Sequence, residues 1–229
     1  RHTLQDLGGL QEYVSFAPWG PGDISAFWTL NIFTNQRHLA LAFGLALFFI
    51  WFCITASQRT RSQNICWGLL WGSVLGMLPF FHKPVLLICA ILGIWYFIAL
   101  PRARIFLLFC GMVGSMLIIP QMLIMSRSGG TESVTWFSGY LLHDQLSTAR
   151  FIEYWWNNIG LHLLFIPLGF LLCLWKRSEV CIALAPLILI FLVANLFRFS
   201  VEVAASHKFF NFAVILGGIF SAWAVVRLW

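Results

Sequence analysis

Seven long apolar runs, parted by short polar or basic connections, organise this chain; they fall at 38–56, 66–81, 84–100, 105–125, 152–175, 180–197 and 209–229. A helix needs about 20 mostly apolar residues to cross a bilayer. The pattern therefore predicts an all-α fold: a polytopic transmembrane helix bundle of about seven spans over 38–229, preceded by a polar segment at 1–37. The second and third runs are short and are separated only by Phe81-His82-Lys83-Pro84, which predicts a tight hairpin whose tip stays close to the membrane. Pro79, Pro120, Pro167 and Pro186 each fall inside a run. Kinks there are tolerable where neighbouring helices bond the freed carbonyls. Gly68, Gly72 and Gly76 leave one helix face bare. Such a stripe admits a second helix closely, and packing within the chain is expected ahead of dimerisation.

Composition agrees with the pattern. Hydrophobic residues make up 60% of the chain and charged residues only 10%, with a mean hydropathy of +0.86. Soluble domains carry about 25% charged residues, so a soluble fold is excluded. The net charge of +6 does not point to nucleic acid, because the basic residues are scattered in ones and twos without a basic stripe or a binding module. All six cysteines lie within apolar runs and form no CxxC pair, so they read as small hydrophobes, with no disulfide framework or metal site expected. The chain opens on Arg1 in a polar stretch, which reads as a portion of a longer protein with spans upstream.

Following the runs alternately across a bilayer sorts the charges. One set of connections holds Arg59 and Arg61, Arg102 and Arg104, Lys176 and Arg177, and Arg227, with Glu179 its only acid. The other holds Asp6, Glu12, Asp23, Glu132, Asp144, Glu153 and Glu202. Short basic loops face the cytoplasm, so 1–37 and the long loop at 126–150 are expected on the non-cytoplasmic side, where short amphipathic helices would partly cap the bundle.

No P-loop, dinucleotide fingerprint, HExxH or GxSxG occurs. The candidate chemistry lies in four polar sets near the outer helix ends, since ionisable groups at membrane depth are costly and mark function. Asn35-Gln36-Arg37-His38 leads into the first run; Arg37 either snorkels to the interface or grips phosphate in bidentate fashion, with His38 beside it. His82 and Lys83 form the hairpin tip, as topological anchor or as ligand groups. Glu153 and Asn157, and likewise Asn158 and His162, are one helical turn apart, which places two polar faces at the head of the fifth span; interhelical hydrogen bonding is the structural alternative. Arg198, Glu202, His207, Lys208 and Asn211 are the densest set. His207, Lys208 and Asn211 border one site if the last helix starts near Ser206. Arg198 and Lys208 then neutralise a phosphate, and Glu202 is either a base or their ion-pair partner.

The strings Asn35-Gln36-Arg37-His38-Leu39-Ala40, Leu75-Gly76-Met77-Leu78-Pro79-Phe80-Phe81-His82, Tyr154-Trp155-Trp156-Asn157-Asn158-Ile159-Gly160-Leu161 and His207-Lys208-Phe209-Phe210-Asn211-Phe212 occur in that order. Together they resemble largely uncharacterised prokaryotic polytopic proteins similar to the GT-C superfamily of membrane glycosyltransferases. The resemblance covers most of the chain. It implies a protein of the prokaryotic cytoplasmic membrane that transfers sugar from a polyprenyl-phosphate donor at the outer face. It also implies a catalytic carboxylate in a first outer loop, upstream of Arg1. The chain departs from the expected pattern before the His-Lys pair, where Ala204-Ala205-Ser206 stands in place of an acid. Inverting transfer needs a carboxylate to deprotonate the acceptor and cations to stabilise the departing phosphate. Two alternatives stay open: a transporter or flippase for a lipid-linked or small polar substrate, and a non-catalytic scaffold subunit.

Overall fold

A computed structural model describes residues 37–127, 134–175, 179–199 and 206–229. Among them are nine α-helices: α1 Arg37–Ile54, α2 Arg61–Phe81, α3 Lys83–Ala99, α4 Arg104–Arg127, α5 Thr148–Ile159, α6 His162–Trp175, α7 Glu179–Leu184, α8 Pro186–Leu196 and α9 His207–Leu228. The only β-structure there is a two-residue pair, β1 Thr135–Trp136 with β2 Phe197–Arg198. Four segments are long and apolar enough to cross a membrane: Leu39–Gln58, Arg61–Phe81, Pro101–Ile124 and His207–Leu228. Lys83–Ala99 and Cys181–Leu196 are shorter apolar helices, and α5 with α6 would make one further crossing only as a pair bent by 91°. The chain is an all-α membrane bundle.

Helix boundaries follow from local chemistry. Thr60 caps α2, its hydroxyl accepting from the Gln63 amide while the Gln63 side chain accepts from the Thr60 amide, a reciprocal capping box. His82 alone separates α2 from α3 and serves both. Its amide donates to the Leu78 carbonyl at 2.7 Å and its Nδ1 accepts from the Val85 amide at 3.3 Å, with Pro84 opening α3. The hairpin is as tight as the short separation of the two runs predicts.

The glycine stripe is used within the chain. A Cβ on Gly68 would sit 2.6 Å from the Phe106 carbonyl oxygen, one on Gly72 would sit 2.7 Å from the Cys110 carbonyl oxygen, and one on Gly76 would sit 2.7 Å from Leu117. The partners advance in step, so α2 and α4 run parallel in close backbone contact. Gln121 of α4 extends the seam by donating to the Gly76 carbonyl at 2.7 Å. α1 closes this half through Phe52, which meets Trp67 at 4.7 Å and Trp71 at 5.2 Å between ring centres.

α1 and α9 start at the same end of the bundle, where Phe43 meets Phe212 at 5.4 Å. At the opposite end the 3-10 turns Thr55–Gln58 and Pro101–Ala103 pack together. The arginines there close helix ends. Arg59 donates to the Phe52 carbonyl, Thr55 and Asn64, and lies over the Phe52 ring. Arg104 donates to the Phe97 and Ile98 carbonyls of α3. Both satisfy C-terminal carbonyls and oppose the helix dipole. Burial lowers the Arg59 pKa, but bonds from all three guanidinium nitrogens hold the group in place.

Pro186 breaks the sixth run into α7 and α8. It has no amide hydrogen for the carbonyl four residues back, Ile182. Trp95 of α3 supplies the missing donor, its Nε1 lying 2.8 Å from that oxygen, and the Tyr96 hydroxyl donates to the neighbouring Ala183 carbonyl at 2.6 Å.

The fifth run is not one helix. α5 stops at Gly160, whose φ of 54° and ψ of −131° suit a residue without a side chain, and α6 leaves at 91°. α6 crosses α9 where Gly169 faces the Phe220 carbonyl. The loop expected at 126–150 is shorter: α4 runs to Arg127 and α5 begins at Thr148. Part of the rest is tied down. Beyond the β1–β2 pair, the amides of Phe137 and Gly139 donate to the Leu196 and Asn195 carbonyls at 2.9 and 2.7 Å, so this segment satisfies the end of α8.

Candidate functional site

The start of α9 carries the densest buried polar chemistry. His207 and Asn211 are one turn apart and 2% and 1% exposed, with half-buried Lys208 between them. Aromatic rings from several elements enclose this turn. Phe209 stacks on Phe199 at 4.8 Å, Phe210 meets Trp155 at 4.6 Å and Tyr140 at 4.9 Å, and Phe212 meets Phe43. Neither amide atom of Asn211 meets a hydrogen-bond partner among the described residues. A buried amide without a partner costs several kcal/mol, roughly 2–7 by transfer scales, so this donor and acceptor need a partner from beyond the described residues.

Arg198 lies in β2 at the same end, its guanidinium 5.6 Å from the centre of the Phe137 ring. The other neighbour of that ring is His143, 3.8 Å away between ring centres. The residues that follow Arg198 and Lys208, Phe199 and Phe209, form the stack just described. Glu202 lies outside the described residues, as do Asn35 and Gln36. Arg37 and His38 open α1 at this end of the bundle.

The remaining candidates take separate positions. His82 is buried and engaged as the cap of two helices, and Lys83 is exposed beside it. Asn157 is exposed on α5, whereas Asn158 points inward and donates to the Tyr154 carbonyl at 2.7 Å. Asn158 and His162 do not share the helical face expected from their spacing, because the helix ends between them at Gly160. His162 instead meets Ser221 of α9, Nδ1 to Oγ at 2.8 Å.

Asn195 escaped the sequence reading. It sits in the last turn of α8, is 5% exposed, and its Nδ2 donates to the Phe191 carbonyl while its Oδ1 has no partner among the described residues. Its signal was present as the only polar residue in the string PLILIFLVANL. Tyr140 is the other unforeseen member, a buried residue with a left-handed φ of 49°. Burial, with Tyr154 beside it, pushes its phenol well above the ordinary range, so it stays neutral. Among the described residues no group of three or more His, Cys, Asp or Glu side chains is arranged to hold a metal ion.

No family model, curated protein or solved structure matches the chain.

Proposed function

We propose that this chain is a GT-C-like membrane glycosyltransferase of about seven spans, acting on a polyprenyl-phosphate-linked sugar at the end of the bundle where α9 begins. The observation that carries the reading is Asn211, whose buried amide donor and acceptor meet no protein partner among the described residues, one turn from His207. A carboxamide offers the paired donor and acceptor that a sugar hydroxyl needs. Lys208 and Arg198 at the same end suit a phosphate leaving group. In transfer, the acceptor oxygen bonds to the anomeric carbon as the carbon–oxygen bond to phosphate breaks, and a carboxylate takes the acceptor proton. Glu202 is the candidate base within this chain, with a carboxylate upstream of Arg1 as the alternative. Placing the basic end, with Arg59, Arg61, Arg102 and Arg104, in the cytoplasm sets the α9 start on the outer face of a prokaryotic cytoplasmic membrane.

The test is sugar transfer from a polyprenyl-phosphate donor by the full-length protein, compared with Asn211→Ala, Lys208→Ala and Arg198→Ala. Each substitution is expected to lower the rate at least tenfold. Unchanged transfer in all three refutes the site.

A second reading, a transporter or flippase, draws support from the two broken helices, α5–α6 at Gly160 and α7–α8 at Pro186. Transporters bind substrate at such breaks. Flux of a lipid-linked sugar in proteoliposomes, without any glycosidic product, selects that reading over the first.

A further inference from the structure

α5 carries three stripes, each with spacings of three or four residues. Phe151, Tyr154, Trp155 and Asn158 form the first, facing the bundle: Tyr154 is 3% and Trp155 1% exposed. Ala149, Ile152 and Trp156 form the second, apolar but open, with Ile152 53% and Trp156 45% exposed. Arg150, Glu153 and Asn157 form the third, polar and open. Consecutive residues are turned by about 100° on a helix of 3.6 residues per turn, so the stripes divide the circumference into three sectors.

Only one setting satisfies all three. Were α5 to run along a bilayer-crossing axis, Arg150, Glu153 and Asn157 would lie along its length in hydrocarbon, where ionisable groups are expensive. Were it lifted into water, Ile152 and Trp156 would be stranded there. The 91° bend at Gly160 turns α5 away from the apolar α6, and Leu161 at the bend and Leu164 in the first turn of α6 are also exposed.

We infer that α5 is an interfacial helix, seated in the boundary between lipid headgroups and acyl chains, with Ile152 and Trp156 in the lipid and Glu153 and Asn157 in water. The seat is apolar in origin. Arg150 lies 3.8 Å from Glu153 and donates to Gln145 at 3.3 Å, so no unopposed cation on this helix seeks an anionic headgroup. The partner is a bilayer surface regardless of its charge.

The experiment places a nitroxide, one at a time, on Ile152→Cys, Glu153→Cys, Trp156→Cys and Asn157→Cys. The background is the full chain with Cys66→Ser, since the other five native cysteines are buried. Proteins are reconstituted in phosphatidylcholine vesicles with and without phosphatidylglycerol, and collision rates are measured with oxygen and with a water-soluble nickel chelate. Labels at 152 and 156 are expected to favour oxygen several-fold, and labels at 153 and 157 to favour the chelate several-fold, in both lipid mixtures. Three results overturn the inference: all four positions favouring the chelate, all four favouring oxygen, or an alternation that appears only with phosphatidylglycerol.

Discussion

Replacing Gly72 by alanine tests the seam between α2 and α4. The added Cβ would lie 2.7 Å from the Cys110 carbonyl oxygen and 2.7 Å from the Val113 Cβ. Carbon atoms in contact prefer about 3.5–4.0 Å, so the backbones must part by roughly 1 Å, and neither obstacle is the far end of a movable side chain. Gly68 and Gly76 fit as closely on either side, so a gap opened at Gly72 spreads along the seam. A gap of about 0.5–1 Å forfeits a quarter to a half of each dispersion contact, and overpacking of this kind costs about 1–3 kcal/mol. Straining the Gln121 bond to the Gly76 carbonyl adds about 0.5–1.5 kcal/mol. The sum is about 1.5–4.5 kcal/mol, a tenfold or larger loss in the ratio of folded to unfolded protein. The assay is reversible unfolding in micelles of a mild detergent titrated with dodecyl sulfate, followed by circular dichroism. Gly111→Ala on α4 is the control, because its added Cβ meets nothing within 4 Å; it should lie within about 0.5 kcal/mol of the parent. A Gly72→Ala protein as stable as the parent, or a Gly111→Ala protein equally weakened, refutes the close-contact argument.

Three further outcomes use the same unfolding measurement. Trp95→Phe strips the Ile182 carbonyl of its donor and should cost about 1–3 kcal/mol; in a Pro186→Ala background the helix can supply that donor itself, and the cost should shrink. Gly160→Ala should cost about 1–3 kcal/mol through backbone strain alone, since its Cβ would meet nothing within 4 Å, whereas the equally open Gly44→Ala within α1 should be near neutral. The Tyr140 phenol is raised above its ordinary value of 10.0 by burial and by Tyr154. Its folded pKa exceeds its unfolded one, so its contribution is complete below that value and declines as pH rises past it, by about 1.4 kcal/mol per pH unit; Tyr140→Phe should flatten the alkaline loss of stability and leave stability at pH 7 less affected.

The large-scale pattern was legible because hydrocarbon demands it: a helix lies on every one of the seven apolar runs. The glycine stripe and the proline at 186 were also readable, since each changes the backbone in a way that needs a neighbour. What the runs hid was direction. Ile152 to Trp175 is apolar enough to suggest one crossing, but a single Gly160 conformation turns it, and hydropathy averages over that turn. The spacing of His207 and Asn211 foretold their shared helix face. It said nothing of the rings from α1, α5 and the 137–143 segment that enclose the turn, because those contacts join distant parts of the chain. His82 shows the opposite limit: a residue that looked like ligand chemistry also has a local task as a double helix cap. The basic residues at the other end looked like topological markers alone, yet Arg59 and Arg104 also finish α1 and α3.

The bond from Trp95 to the Ile182 carbonyl bears on how the protein is assembled during synthesis. A carbonyl freed by proline inside hydrocarbon costs several kcal/mol until something donates to it. In this chain that donor belongs to α3, made some 90 residues earlier. The α7–α8 stretch therefore reaches its hydrogen-bonded state only once α3 is packed against it, which ties the break at Pro186 to a helix from earlier in the chain.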